Sequence, residues 1–94
     1  MFSRMRGLLG RASITSDEGL WITPCTSIHM FFMRFAIDVI FVDADMRIVR
    51  IHHNVQPWRM ARGGRGSHSV LELAPGTAAA HTLQVGDQLT IASS

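Results

Sequence analysis

Residues 37–42, which read Ile-Asp-Val-Ile-Phe-Val, constrain the fold more than any other part of this chain. Five of these side chains are β-branched or aromatic and one is a carboxylate, which is typical of a strand buried in a sheet. Residues 43–45 are turn formers, and residues 46–52 are again suited to a strand, so the two runs predict a β-hairpin. A two-residue loop in this hairpin would place Phe41 opposite Ile48.

Three further short runs predict strands. They are residues 19–23, 69–73 and 88–91, and each is bounded by proline, glycine or a charged turn. Between residues 27 and 35 the sequence leaves open a strand or an irregular extended segment.

Helical and loop segments complete the prediction. Residues 2–9 carry apolar side chains at helical spacing, which predicts a short helix ending at Gly10, and residues 11–18 form a polar loop. Residues 54–67 lack periodicity and predict a second loop, and residues 77–83 predict a second short helix. We therefore expect a mainly β fold, either a small sandwich or jelly-roll-like domain or a partly open barrel, with two short helices.

Composition limits the domain count and the function classes. The 94 residues suffice for a single domain spanning 1–94, and 47% hydrophobic with 17% charged residues is a globular composition. A single cysteine excludes an internal disulfide framework. The net charge is only +2, and the basic residues, all arginine, form two small separated groups, so the pattern disfavours nucleic-acid binding. No apolar run approaches the length of a membrane span and no secretory cleavage site is present, which predicts a cytoplasmic protein.

Several short motifs occur in an order that closely resembles the domain of unknown function 192 family of small bacterial and archaeal proteins. The resemblance covers nearly the whole chain and is carried by Arg6-Gly-Leu-Leu-Gly-Arg11, Gly19-Leu-Trp-Ile-x-Pro24-Cys25, Ser27-Ile-His-x-Phe-Phe-Met33, Phe35-x-Ile-Asp38-Val-x-Phe41, Pro57-Trp58-Arg59, Leu71-Glu-Leu73 and Val85-Gly86-Asp87. It implies a compact, mainly β domain of sandwich or jelly-roll type. The family has no established activity, so no catalytic residue is carried over.

The resemblance also bears on assembly and location. Members of the family usually begin with another strand before the Arg-Gly-Leu-Leu-Gly segment, and this chain starts almost at that segment. A sheet edge left open there would favour a homo-oligomer. Some relatives carry secretory signals, which this chain lacks.

Cys25, His29 and Met33 are spaced four apart, so they share one face in a strand and nearly so in a helix. Thiolate, imidazole and thioether suit zinc or copper, which makes these residues an alternative metal site. The favoured interpretation is that they pack in the core, since free cysteine and methionine are commonly buried. No cofactor is therefore predicted.

A second alternative is an enzyme in which His29 activates Cys25 and Asp38 orients the imidazole. No known cysteine-hydrolase signature surrounds Cys25, and a structural role for Asp38 is favoured, with Arg34, Arg50 or backbone N–H groups as its partners.

The sequence favours a binding or accessory module over an enzyme. Trp58 follows Pro57 on a glycine-rich loop, where an indole could stack on a sugar ring or another small molecule. We therefore predict a site for an unknown small molecule or glycan. Its residues would be Cys25, His29, Asp38, Trp58 and Arg59.

Overall fold

A computed structural model of the chain describes residues 2–10, 14–29 and 35–93, with the side chains of residues 19–28 and 35–90. The secondary-structure elements are β1 (Phe2–Gly10), β2 (Ile14–Ile22), β3 (Ser27–His29), β4 (Ile37–Val42), β5 (Ile48–Val55), β6 (Met60–Arg62), β7 (Ser69–Leu73), α1 (Thr77–Ala80) and β8 (Leu89–Ser93). Six strands form one sheet in the order β5-β4-β7-β2-β1-β8, and β3 pairs with β6 in a second sheet. The predicted mainly β fold is confirmed. Within these residues no helix has the length and apolar character needed to cross a membrane.

Strand β4 lies between two hydrophobic clusters, which is why all six of its residues are buried. The helix-side cluster receives alternate residues of β4, and the small-sheet cluster receives the others. The helix-side cluster consists of Ile40, Val42, Ile48, Leu71, Leu73, Ala78, Leu83 and Leu89. The small-sheet cluster consists of Ile28, Ile37, Val39, Phe41, Ala61 and Val70.

The six-stranded sheet curls but is only partly closed. Its edge strands β5 and β8 approach each other through an isolated bridge between Arg47 and Gln88, supported by a hydrogen bond from the Leu89 N–H to the Met46 carbonyl. Strand β1 pairs with β2 on one side and with β8 on the other. The Arg-Gly-Leu-Leu-Gly segment therefore lies inside the sheet rather than at an edge.

The predicted helix at residues 2–9 is wrong, because these residues form β1. The register of β1 shifts between Arg6 and Leu8 against β2 and between Met5 and Leu8 against β8, and this irregularity around Gly7 breaks the simple alternation that marks a strand. The predicted loop at residues 11–18 is wrong from Ile14 onward, where β2 begins. Pairing within the sheet outweighs the local helical spacing.

The β4–β5 hairpin is confirmed, but its predicted register is wrong. Phe41 pairs with Arg50 rather than with Ile48. The Asp43 N–H donates to the Arg47 carbonyl, so three residues form the loop, and Met46 adopts a left-handed φ of 66° at its end. The extra loop residue and a register shift beside Phe41 account for the difference.

Two other predicted segments differ from the structure. The predicted loop at residues 54–67 begins inside β5, which ends at Val55, and it contains β6. The predicted helix at residues 77–83 is confirmed only for Thr77–Ala80. It stops there because Thr82 has a left-handed φ of 50° and Leu83 turns into the helix-side cluster. It is the single helix in the described part of the chain.

Candidate functional site

The two-stranded sheet covers one face of the large sheet and exposes its own opposite face. Ile28 pairs with Ala61, and both side chains are buried in the small-sheet cluster. The flanking pair, Ser27 with Arg62, is exposed. Because side chains alternate along a strand, Ser27, Met60 and Arg62 belong to the outward face.

An open depression with a volume of about 460 Å³ lies on this outward face. The described residues in its walls offer two hydroxyl groups, one guanidinium, one thioether and exposed backbone. The lining residues are Thr26, Ser27, Met60, Arg62 and Gly64. A few convergent polar groups beside an apolar side chain are what a site for a small polar molecule requires.

Strand β6 is held against the large sheet by His52. The Nε2–H of His52 donates to the Arg62 carbonyl at 3.0 Å. The imidazole also packs edge-on against Phe41, with ring centroids 5.8 Å apart and an interplanar angle of 84°. This hydrogen bond and ring contact fix the backbone of Arg62, and therefore the point from which its side chain extends, against the large sheet.

The segment after β6 forms the end of the depression. The Gly63 N–H donates to the Thr26 carbonyl at 2.9 Å, which extends the pairing of the small sheet. The N–H and hydroxyl of Ser67 both donate to the Gly64 carbonyl. Gly66 adopts a φ of 85°, a value that glycine takes without strain, so the turn needs glycine there.

Four of the five predicted ligand-binding residues lie in or beside the small sheet. Cys25 precedes β3, His29 ends it, and Trp58 and Arg59 lie in the turn that leads into β6. Trp58 is 62% exposed. The structure therefore brings the backbone of these four residues to one region of the fold, and the described side chains of Cys25, Trp58 and Arg59 are not among those that line the depression.

Cys25 is half-buried and packs against the small-sheet cluster. Its thiol donates to the Ser27 carbonyl at 3.0 Å, and its N–H donates to the His68 carbonyl at 2.8 Å. These contacts anchor the segment before β3. They direct the sulfur toward backbone rather than toward the outward face of the small sheet.

Asp38 lies away from the other predicted site residues. It is fully buried, and its neighbours on that face of β4 belong to the helix-side cluster. Its Oδ1 accepts the Asn54 N–H at 2.8 Å, and its Oδ2 accepts the Ala78 N–H at 2.9 Å. The carboxylate thus joins the end of β5 to the start of α1, whose N-cap, Gly76, has no side chain to offer.

The predicted metal ligands are described only in part. Met33 and the side chain of His29 lie outside the described residues. Among the side chains that the structure does describe, no three from histidine, cysteine, aspartate and glutamate come together as a metal site. The zinc or copper alternative is therefore still a prediction.

The sequence does not predict the lining residues of the depression, apart from Arg62, which belongs with Arg59 and Arg65 to the second small arginine group, for which a solvated loop is favoured over phosphate contact. Strand β6 has three residues and a single inward side chain, Ala61, so it leaves no alternating pattern to detect. The available signal was Ser27, whose motif Ser-Ile-His alternates polar and apolar side chains.

Two polar groups on β2 and β7 are shielded from solvent to different degrees. Glu72 lies on β7 opposite Leu20 on one side and Val39 on the other, and burial between them raises the pKa of its carboxyl above the usual 4.5. The indole N–H of Trp21 is buried beside the helix-side cluster and has no hydrogen-bond acceptor among the residues that the structure describes. Neither group reaches the depression.

Comparisons with known proteins identify the family. The family model for domain of unknown function 192, described as an uncharacterised ACR, matches residues 1–91. A UPF0127 protein of Thermococcus sibiricus is 31% identical over 94% of this chain and 59% of its own length. A UPF0127 protein of Pyrococcus furiosus is 36% identical over 67% of this chain and 53% of its own length.

A solved structure agrees with the sequence matches. It is the crystal structure of a protein of unknown function from Novosphingobium aromaticivorans, which is 26% identical with a TM-score of 0.69 over 77% of this chain and 56% of that protein. This chain spans a little over half the length of these relatives. Because the family model matches residues 1–91 and the Thermococcus sibiricus relative is 31% identical over 94% of this chain, the chain belongs to the domain of unknown function 192 family.

Proposed function

We propose that this domain is a ligand-binding or accessory module that holds a small polar molecule on the outward face of the β3–β6 sheet. The observation that carries the proposal is the open depression lined by Ser27, Met60 and Arg62. Its polar groups converge beside one apolar side chain, and its floor is a small sheet whose other face is packed into the core. A rigid floor lowers the entropic cost of binding.

The predicted site residues support this location in different ways. Trp58, exposed just before β6, supplies an aromatic face near the depression, and Arg59 follows it. Cys25 precedes β3 and His29 is its last residue, so in this proposal they hold the floor of the site. Asp38, buried under the helix-side cluster, acts as a structural carboxylate and contacts no ligand.

A thermal-shift experiment tests the proposal. The probes are maltose, chitobiose, citrate, glutamate and adenosine monophosphate. A probe at ten times its Kd stabilises the folded state by about 1.4 kcal/mol, which raises Tm by roughly 6–11 °C in a domain of this size. We expect at least one probe to do so with the wild-type protein.

Two variants locate the effect. Ser27→Trp fills the depression from an exposed strand position, where an aromatic side chain is tolerated. We expect it to abolish the shift, whereas Thr90→Trp, at an exposed position of β8, should keep it. A probe that stabilises Ser27→Trp as much as the wild-type protein would show that binding occurs elsewhere.

The enzyme alternative makes a different prediction. A catalytic cysteine reacts as the thiolate, whereas the Cys25 thiol donates a hydrogen bond to a carbonyl. We therefore expect slow alkylation by iodoacetamide below pH 7, with full reaction after unfolding. Alkylation of the folded protein below pH 7 that is faster than that of the unfolded protein would favour the enzyme alternative.

Assembly and location are also part of the proposal. A homo-oligomer would form through β5 or β8, the edge strands of the large sheet, rather than through β1. Sedimentation of the tag-free protein over a range of concentrations tests this. The expected cytoplasmic location is still a prediction from the sequence.

A further inference from the structure

Charge is distributed unevenly along the chain. Residues 46–71, which we call the positive segment, contain no aspartate or glutamate. They contain the arginines 47, 50, 59, 62 and 65, more than half of the nine in the protein. Strands β5 and β6 and the turn that ends the depression all belong to this segment.

The arginines nearest the depression are not neutralised by neighbouring acids. Arg62 lines the depression, and it forms no ion pair with any acidic side chain that the structure describes. The Arg50 guanidinium lies close to Gly64, since a Cβ built on that glycine would be 3.5 Å from Nη2 of Arg50. Two guanidinium groups therefore flank the same stretch of backbone, and neither has a carboxylate partner in the described part of the chain.

The turn between them adds backbone donors. The N–H groups of Gly64, Arg65 and Gly66 have no acceptor within the residues described, and Gly64 and Gly66 have left-handed φ values of 78° and 85°. Consecutive backbone N–H groups without an acceptor in a turn often bind anions. Thr26 and Ser27, which also line the depression, supply hydroxyl groups as further donors.

We propose that the ligand of this depression carries an anionic oxygen group, either a carboxylate or a phosphate. Arg62 binds this group directly, and the positive charge of Arg50, close to Gly64, attracts it. The inference rests on the proposed function and specifies its ligand class. Guanidinium is well suited to this task, since its planar donors match the oxygens of both groups. Met60 would contact the apolar part of the same molecule.

Calorimetric titration with three matched sugars tests the inference. The probes are glucose, glucuronate and glucose 6-phosphate, which share a ring and differ in the anionic group. We expect both anionic sugars, or one of them, to bind at least tenfold more tightly than glucose and to weaken with added sodium chloride. Binding of glucuronate alone assigns the carboxylate, and binding of glucose 6-phosphate alone assigns the phosphate.

Variants connect the affinity to the depression. Arg62→Gln should weaken binding about tenfold or more. Arg47→Gln is the control: it removes the same charge, but the Arg47 side chain donates to the Gly86 carbonyl and does not line the depression. This variant should change the affinity less than about twofold. Both substitutions are at exposed positions, so folding can be verified by circular dichroism.

Three results would overturn the inference. If glucose binds as tightly as the anionic sugars, the ligand need not be an anion and the inference is wrong, while the proposed function stands. Anion binding that is unchanged in Arg62→Gln would place the anion elsewhere. Failure of all three sugars to bind would remove the anionic class, while the thermal-shift panel with Ser27→Trp separately decides whether the depression binds anything.

Discussion

The buried carboxylate of Asp38 gives the sharpest prediction about stability. Each of its oxygens accepts one backbone N–H, from Asn54 and from Ala78. In Asp38→Asn the amide keeps one oxygen and turns an NH₂ group toward the second donor. One charge-assisted hydrogen bond is lost, and buried donors face each other without an acceptor.

The magnitude follows from these two losses. An unpaired buried donor costs about 1–3 kcal/mol, and a hydrogen bond to a charged group contributes about 1.5–3 kcal/mol. Removal of the buried charge offsets part of this. We therefore expect a loss of about 3 kcal/mol from a domain whose total stability is roughly 5–14 kcal/mol, and a Tm lower by roughly 12–24 °C.

Asp43→Asn is a matched control. Asp43 also accepts two backbone N–H groups, from Asp45 and Arg47, but both donate to Oδ1 at 2.9 Å. The amide oxygen of asparagine can accept both, and asparagine suits a turn. We expect this variant to lose less than about 1 kcal/mol.

Urea unfolding monitored by circular dichroism measures both variants. The slope of the unfolding free energy against urea should be unchanged, so that the midpoint alone reports stability. Hydrogen exchange at the Ala78 amide should accelerate in Asp38→Asn more than in Asp43→Asn. Equal losses in the two variants would refute the claim that Asp38 needs both of its oxygens.

Two further predictions concern Glu72 and Gly63. Because burial raises the pKa of Glu72, its charged form destabilises the fold at neutral pH, and Glu72→Gln should raise Tm at pH 7. This gain in Tm over the wild-type protein should disappear as the pH falls below 4.5, where the Glu72 carboxyl is protonated in the folded and the unfolded state. A gain in Tm that is the same at every pH would contradict the prediction. Gly63→Ala should cost about 3 kcal/mol in urea unfolding because its Cβ would lie 2.6 Å from the Phe41 ring. Gly66→Ala, which meets no atom within 4 Å but has a φ of 85°, should cost only about 1 kcal/mol, and equal losses would contradict the steric argument.

Strand β4 shows what the sequence predicts well. Its β-branched and aromatic residues are buried on both faces, and composition alone identifies such a strand. Strand β1 shows the opposite case. Its register shift at Gly7 and its pairing with two neighbours are set by the rest of the sheet, so local apolar spacing predicted a helix there.

The sequence predicts the region of the fold that holds the candidate site but not the residues that line it. Motifs at Cys25 and Trp58 pointed to the segments that flank β3 and β6, because aromatic and sulfur-containing residues are conspicuous in a sequence. The depression itself depends on the pairing of Ser27 with Arg62, which are 35 positions apart in the chain. The burial of Asp38 was likewise a tertiary property, since its two donors come from β5 and α1.

The most direct test of the ligand site is a map of the backbone amides that a bound probe perturbs. ¹H–¹⁵N correlation spectra of the wild-type protein would be recorded during titration with glucuronate and glucose 6-phosphate. We expect chemical-shift changes concentrated at Thr26, Ser27, Arg62 and Gly64, with the amide of Ala78 unchanged. Changes centred on Ala78, with the amides of the small sheet unaffected, would contradict the proposed site.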